Sequence, residues 1–278
     1  MGLDFNKIFG ISARYPLKKD AYILFFAVQL VFAVAGWFVT AYFGADVVTA
    51  EGIIVPETLI PFLLYIIPIT IVNWIVMAYL IPAYIDNSTY FGRAKAKNIK
   101  ESFDVSRKRF LPLIGLGVIL GLVMLACLGG VILTIIAVPV ITSIEGITML
   151  AVGGVWFFIG LIASVIIFFM TCISPVFCVL EKTGPLKSIK KSWKLVGKNK
   201  FNTFLFLLLF AVIYIVISFA GSMPEIIYYG LTGADQVTGV SVQGFVFMLI
   251  RTLFTTYLTL FMLASITVYY LSLKKGSD

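Results

Sequence analysis

Three polar residues interrupt long apolar stretches of the sequence and are the first candidates for chemistry. Arg251 lies about seven residues into the last apolar stretch, or about 10 Å from its start at about 1.5 Å per helical residue. A charged side chain inside a membrane is costly and commonly marks a functional site. Gln29 and Asn73 lie well inside the first and second apolar stretches. Together these residues form a candidate intramembrane polar site.

Two interpretations of Arg251 stay open. Its side chain either extends to the outer headgroups or turns inward, where Glu225 and Asp235 of the preceding loop are candidate partners. Gln29 and Asn73 either hydrogen-bond between helices or line a polar path.

Enzymatic chemistry finds little support in the residue types present. The chain has no histidine, which excludes Ser-His-Asp and Cys-His arrangements. Its three cysteines, Cys127, Cys172 and Cys178, form no CxxC pair, and a zinc site is therefore not expected. A metal site built from carboxylates distant in sequence stays open, but nothing favours one. We expect no enzymatic activity, no cofactor and no metal.

Basic residues are concentrated in segments 93–109 and 182–200, which carry a repeated pattern. Residues 99–103 (Ile-Lys-Glu-Ser-Phe) match residues 189–193 (Ile-Lys-Lys-Ser-Trp). Helical spacing places four apolar residues of the second segment on one stripe: Leu186, Ile189, Trp193 and Val196. A basic helix with an aromatic residue on its apolar face lies flat in the membrane interface. We therefore predict two basic amphipathic helices, at about 93–110 and 183–200, and a probable internal repeat.

These helices supply the candidate contacts to anionic lipid headgroups. The contacts are Lys187, Lys190, Lys191, Lys194, Trp193, Lys100, Arg107 and Lys108. Basic residues beside a cytoplasmic leaflet are attracted to its anionic lipids. Membrane lipids are therefore the expected partners, and nucleic acid is not. A protein partner or a homo-oligomer stays open.

The elements that must position these residues are membrane-spanning helices. Hydrophobic residues make up 61% of the chain and charged residues only 12%. Six apolar runs reach the roughly 20 residues that a helix needs to cross a bilayer. They lie at about 21–43, 59–84, 111–136, 149–174, 201–222 and 244–272. We predict an all-α, polytopic fold in which residues 1–278 form a single membrane domain. Pro61, Pro68 and Pro82 make the second span the one expected to bend or break.

Charge distribution predicts the orientation. Of 21 Lys and Arg residues, only Arg251 lies outside the two basic segments and the chain ends. Short basic loops stay in the cytoplasm. We therefore expect a multi-pass protein of the cell membrane, with residues 1–20, the C-terminus and both amphipathic helices on the cytoplasmic side. The first apolar run is too long for the core of a cleaved signal peptide.

A family resemblance covers residues 174–201. Ser174-Pro175-Val176, then Glu181 and Gly184, then residues 192–196 (Ser-Trp-Lys-Leu-Val) follow one pattern between two spans. The pattern resembles a prokaryotic six-span family related to the membrane domain of glycerophosphodiester phosphodiesterases. Ser188 departs from it, because that family often has Ala there. The resemblance implies a membrane location and points to lipid headgroup metabolism, but it assigns no catalytic residue.

Two functions therefore remain as hypotheses. The first is a non-enzymatic integral membrane protein associated with lipid organisation or assisting a membrane partner. The alternative is a small transporter or channel for a small solute or anion, to which Arg251 would contribute a positive charge.

Overall fold

The computed structural model describes residues 3–43, 56–93, 97–129, 144–232 and 241–275. All regular secondary structure in these ranges is helical. The helices are α1 (Phe5–Arg14), α2 (Lys19–Phe43), α3 (Pro56–Gly92), α4 (Ile99–Cys127), α5 (Ile144–Thr171), α6 (Ser174–Leu180), α7 (Pro185–Lys198), α8 (Lys200–Thr232) and α9 (Val242–Lys275).

Six helical segments among the described residues are long and apolar enough to cross a membrane. They are Lys19–Phe43, Glu57–Phe91, Ile99–Cys127, Leu150–Leu180, Lys200–Thr232 and Val242–Lys274. Between its first and last turns a helix pairs its backbone groups internally, which a lipid environment requires. The prediction of an all-α fold with six long apolar helices is confirmed.

The proline-rich second span, which is predicted to bend or break, does not break. Helix α3 continues through Pro61, Pro68 and Pro82 without interruption. Each proline removes one backbone hydrogen bond. The remaining backbone groups find no alternative partner in lipid, and the helix is therefore retained around each proline.

The two amphipathic segments differ from each other. The first, which is described from residue 97 onward, forms the start of the long helix α4 rather than a helix of its own. The second forms the separate helix α7, which ends at Lys198 with Asn199 as its C-cap. The residue that corresponds to Asn199 in the first copy is Arg109. Arginine favours the helix interior, whereas asparagine competes for its hydrogen bonds, and the Asn199 side chain does so by donating to the Leu195 carbonyl.

The described chain divides into two compact units. The first unit combines Met1–Arg107 with Leu208–Asp278, and the second unit is Lys108–Leu207. In the first unit, α1, α2 and α3 pack on α9. Leu260 and Phe261 of α9 are buried there, and the Phe261 ring stacks on Phe9, with the ring centroids 6.1 Å apart. The C-terminal half of α9 is therefore central to this core.

Helix α3 shows how the first unit combines a protein core with a lipid-facing surface. Its C-terminal half is buried, from Ala78 to Thr89, and includes Tyr84 and Ile85. Its N-terminal half exposes apolar side chains, and Leu64 is 67% exposed. Exposed apolar side chains on a long helix are suited to contact with lipid.

A polar cluster joins three segments of the first unit. The Lys18 ammonium donates to the Asn87 side chain (3.3 Å) and to the Lys97 carbonyl oxygen (2.5 Å). The Asn87 amide donates to the same carbonyl oxygen at 2.9 Å, and Lys97 forms an ion pair with Asp86 at 2.5 Å. We name Lys18, Asp86, Asn87 and Lys97 the polar clasp. It fixes the entrance of α2, the last turns of α3 and the approach to α4.

Candidate functional site

Helix α7 buries a different face from the one that its apolar residues predict. The buried residues are Ser188, Ser192 and Val196, which are spaced four residues apart. Leu186 is 64% exposed and Trp193 is 41% exposed. Of the predicted apolar stripe, only Val196 is fully buried. Leu186 and Trp193 therefore remain available to a membrane or a partner.

A hydrogen bond explains why a serine, Ser192, lies on the buried face of α7. Its hydroxyl donates to the carbonyl oxygen of Met170 at 2.7 Å. Met170 lies in the last turn of α5, where the carbonyl groups have no partner within their own helix. Ser192 therefore completes the end of α5 and attaches α7 to it. In the Ser-Trp pair, the serine faces the protein and the tryptophan faces outward.

Hydroxyl groups also fix the turn before α7. Thr183 donates to the Phe177 carbonyl oxygen at 3.0 Å, and its oxygen lies 2.6 Å from that of Ser188. The Ser188 hydroxyl also donates to the Gly184 carbonyl oxygen at 2.9 Å, and the short contact joins the two hydroxyl groups. Lys182, in the same turn, has a positive φ of 53°. These contacts determine the direction in which α7 leaves α6.

The outward face of α7 is basic. Lys187, Lys190 and Lys194 are all exposed. At 100° per residue they fall within about 60° of each other around the helix. The segment from 182 to 200 contains no acidic residue. We name Lys187, Lys190 and Lys194, with the adjacent Leu186 and Trp193, the basic face of α7.

Lys191 does not belong to the basic face. Its ammonium forms an ion pair with Glu181 and lies 5.9 Å from the centroid of the Phe177 ring. Its side chain is half-buried. Four lysines of α7 were predicted to contact lipid headgroups. Of these, Lys191 instead forms an ion pair with Glu181 within the protein.

The corresponding residues of α4 are exposed but electrostatically mixed. Lys100, Arg107 and Lys108 lie on the surface, and so do Glu101 and Asp104 between them. These carboxylates offset much of the local positive charge. The electrostatic attraction of an anionic membrane surface to α4 is therefore weaker than its attraction to α7.

The structure places Arg251 beside one of its two candidate partners. The Nη2 of Arg251 lies 3.1 Å from an Oε of Glu225. Asp235, the other candidate, lies outside the described residues. The Arg251 side chain is 61% exposed. The pair joins α8 to α9 and reduces the net charge of this position to zero.

Gln29 and Asn73 lie on α2 and α3 of the first unit. The Gln29 amide donates to the Met77 sulfur at 3.2 Å, which joins the two helices. The Oδ1 of Asn73, one turn from Met77, is buried and has no hydrogen-bond partner among the described residues. No hydrogen bond or ion pair of the described residues links Arg251 to either amide.

The polar clasp was not predicted from the sequence. Its members are separated by up to 79 residues, and nothing in their local spacing indicates that they meet. Tyr15 packs against the same region, and its hydroxyl donates to the Tyr84 carbonyl oxygen at 3.3 Å. Burial, with smaller effects of Tyr84 and Asp86, raises the pKa of Tyr15 well above its ordinary value.

No group of three or more His, Cys, Asp or Glu side chains is positioned to hold a metal in the described ranges.

The fold and composition are those of a multi-pass helical membrane protein. Residues 99–273 match the model of one family, the domain of unknown function DUF7847, and the chain belongs to that family. No curated protein and no solved structure matches the chain. The matched range includes α4 to α8 and most of α9, and therefore the whole of α7.

Proposed function

We propose that this protein is a non-enzymatic membrane protein that binds anionic lipid headgroups of one leaflet through the basic face of α7. It acts in lipid organisation or holds a partner protein at that leaflet. The observation that carries the proposal is the exposure of Leu186 and Trp193 beside three exposed lysines, in a segment (182–200) that contains no acidic residue. Apolar side chains enter the interface while the adjacent ammonium groups meet phosphates.

The expected electrostatic free energies indicate that the basic face of α7 adds a modest contact with lipid headgroups to the attachment that six membrane-spanning helices provide. Each lysine near an anionic surface contributes about 1 kcal/mol. Three lysines therefore contribute about 3 kcal/mol at low salt. Salt weakens this attraction, because charges beyond a Debye length of about 8 Å are screened at physiological ionic strength.

Two features of the sequence support the proposal. The pattern around Ser192 and Trp193 resembles a prokaryotic six-span family related to the membrane domain of glycerophosphodiester phosphodiesterases, and this resemblance points to lipid headgroup metabolism. The concentration of Lys and Arg in two segments and at the chain ends indicates that α7 lies on the cytoplasmic side, where anionic lipids are abundant. Both are expectations that further experiments test.

Trp193 provides the reporter for a direct test. A parent protein with Phe at positions 37, 74 and 156 leaves Trp193 as its single tryptophan and is reconstituted in phosphatidylcholine bilayers. We expect brominated phosphatidylglycerol to quench Trp193 more strongly than brominated phosphatidylcholine. Replacing Lys187, Lys190 and Lys194 with Gln should abolish this preference.

A second triple variant provides the matched control. Replacing Lys100, Arg107 and Lys108 with Gln removes the same formal charge from α4, where Glu101 and Asp104 already offset it. This control should keep most of the preference. Equal quenching by the two lipids in the parent protein would refute the proposal.

The alternative function as a transporter or channel is less well supported. Glu225 beside Arg251 leaves little net charge to attract an anion. Gln29 is joined to Met77 and serves to connect helices. The test is anion flux through liposomes that contain the protein. If this flux exceeds that of protein-free liposomes and is lost in Arg251→Leu, a transporter or channel would be favoured over the lipid-binding function.

A further inference from the structure

An apolar groove lies in the first unit between α2, α8 and α9. Its volume is about 380 Å³, within the range of small-molecule sites. The lining residues are Tyr22, Ile217, Leu253, Phe254 and Tyr257. All of them belong to helices that are long and apolar enough to cross a membrane. The groove is therefore accessible to lipid.

The polar atoms of the groove are already paired. The Tyr22 hydroxyl donates to the carbonyl oxygen of Leu253 at 3.1 Å. The Tyr257 hydroxyl donates to the carbonyl oxygen of Ala13 at 3.2 Å. With both phenol protons used, the groove offers aromatic rings and aliphatic side chains to an occupant. This chemistry fits an acyl chain better than a polar solute.

Two basic residues are close in sequence to residues that line or contact the groove. Ala13, which accepts from Tyr257, is followed directly by Arg14, and Lys19 precedes Tyr22 by three residues, or about 4.5 Å along the helix. Arg14 and Lys19 are exposed, and neither forms an ion pair within the described part of the chain. Asp20 is also exposed and offsets one of these charges. The local charge is therefore net positive.

We propose that this groove holds one acyl chain of an anionic phospholipid, whose phosphate group contacts Arg14 and Lys19. The inference deepens the proposed function, because it names a second place where the same lipid class binds. A transmembrane helix of a partner or a neutral lipid would need the apolar lining but would gain nothing from the two cations. The combination of groove and cations therefore selects an anionic phospholipid.

Native mass spectrometry in a neutral detergent provides the test. The protein is incubated with equal amounts of phosphatidylglycerol and phosphatidylcholine, and the lipid that it retains is measured. Ile217→Trp fills the groove, while Val212→Trp, on an exposed position of the same helix, is the matched control. We expect phosphatidylglycerol to be preferred and its retention to fall at least about fivefold in Ile217→Trp and in the Arg14→Gln/Lys19→Gln variant. Val212→Trp should retain it fully.

Three outcomes would overturn the inference. They are equal retention of the two lipids, full retention in Ile217→Trp, and full retention in the variant that lacks both cations. Leu253→Trp fills the groove from α9 and replaces Ile217→Trp if that variant does not fold.

The triple Gln variant at Lys187, Lys190 and Lys194 separates this inference from the proposed function. It should retain the groove lipid, because none of its three substitutions is at a residue that lines the groove. Loss of the preferred phosphatidylglycerol in that variant would assign the lipid to α7 and contradict the groove. A failure of the Trp193 quenching test with the groove lipid retained would contradict only the proposed function.

Discussion

Single hydroxyl groups have a larger structural role here than the hydropathy of the chain indicates. Ser192 is fully buried and donates to an otherwise unpaired carbonyl oxygen at the end of α5. Removing one hydrogen bond of this kind costs about 1 kcal/mol, and the unpaired buried carbonyl adds to the cost. Ser192→Ala should therefore lower the free energy of unfolding by about 1–2 kcal/mol.

Chemical denaturation in detergent micelles measures this effect. Ser218→Ala, on an exposed position of α8, is the control and should change stability by less than about 0.5 kcal/mol. An unchanged midpoint for Ser192→Ala would show that the Met170 carbonyl does not depend on Ser192.

At the residue scale, the sequence predicted candidates better than it predicted contacts. Glu225 was one of two candidate partners of Arg251 and is the one found beside it. Lys191 was grouped with the exposed lysines of α7, although it pairs with Glu181. Helical spacing gives the angle of a side chain around its own helix. It does not show which neighbouring helix supplies a carboxylate.

At the scale of elements, the existence and number of the long helices follow from the lengths of the apolar runs, because lipid leaves the backbone no other bonding partner. The buried face of α7 could not be predicted in this way. Hydropathy places Leu186 and Trp193 inside, whereas Ser188 and Ser192 are buried because they bond to groups at the turn before α7 and at the end of α5. Polar contacts therefore decided the orientation of this helix.

The turn that leads into α7 offers an element-scale prediction. Lys182 has a φ of 53°, which costs a residue with a Cβ about 1 kcal/mol or more. Lys182→Gly should therefore stabilise the turn by about 0.5–1 kcal/mol. Lys182→Ala removes the same charge and should give no such gain, while the β-branched Lys182→Val should destabilise.

Thermal unfolding in one detergent would rank these variants. The expected order of melting temperatures places Gly first, Lys and Ala together, and Val last. An equal gain for Gly and Ala would attribute the effect to charge and contradict the role of the backbone.

At the scale of the whole molecule, the polar clasp joins segments that are distant in sequence. The side chains of Lys97 and Asp86 are only 15% and 13% exposed. Removing one partner of a buried ion pair costs about 3–5 kcal/mol, because the other charge stays buried and unpaired. Asp86→Asn should therefore approach that loss in unfolding free energy. Asp104→Asn, at an exposed carboxylate, should stay within about 0.5 kcal/mol of the parent.

The orientation of the molecule in the membrane is the prediction on which the lipid-binding proposals depend. Arg and Lys residues of short loops are retained in the cytoplasm, so the two basic segments should lie on one side and the end of α8 on the other. Single cysteines at three exposed positions, Lys108, Lys187 and Leu231, test this in a parent with Ala in place of the native cysteines, Cys127, Cys172 and Cys178.

A membrane-impermeant maleimide, added to intact cells and to inside-out vesicles, distinguishes the two sides of the membrane. The cysteines at positions 108 and 187 should react only in inside-out vesicles, and the cysteine at position 231 only in intact cells. Labelling of position 187 in intact cells would place the basic face of α7 opposite the cytoplasmic leaflet, where anionic lipids are scarce, and the proposed headgroup contact would lose its physical basis. Labelling of positions 108 and 187 from different sides would require an odd number of membrane crossings between them, which two crossings by α4 and α5 do not allow.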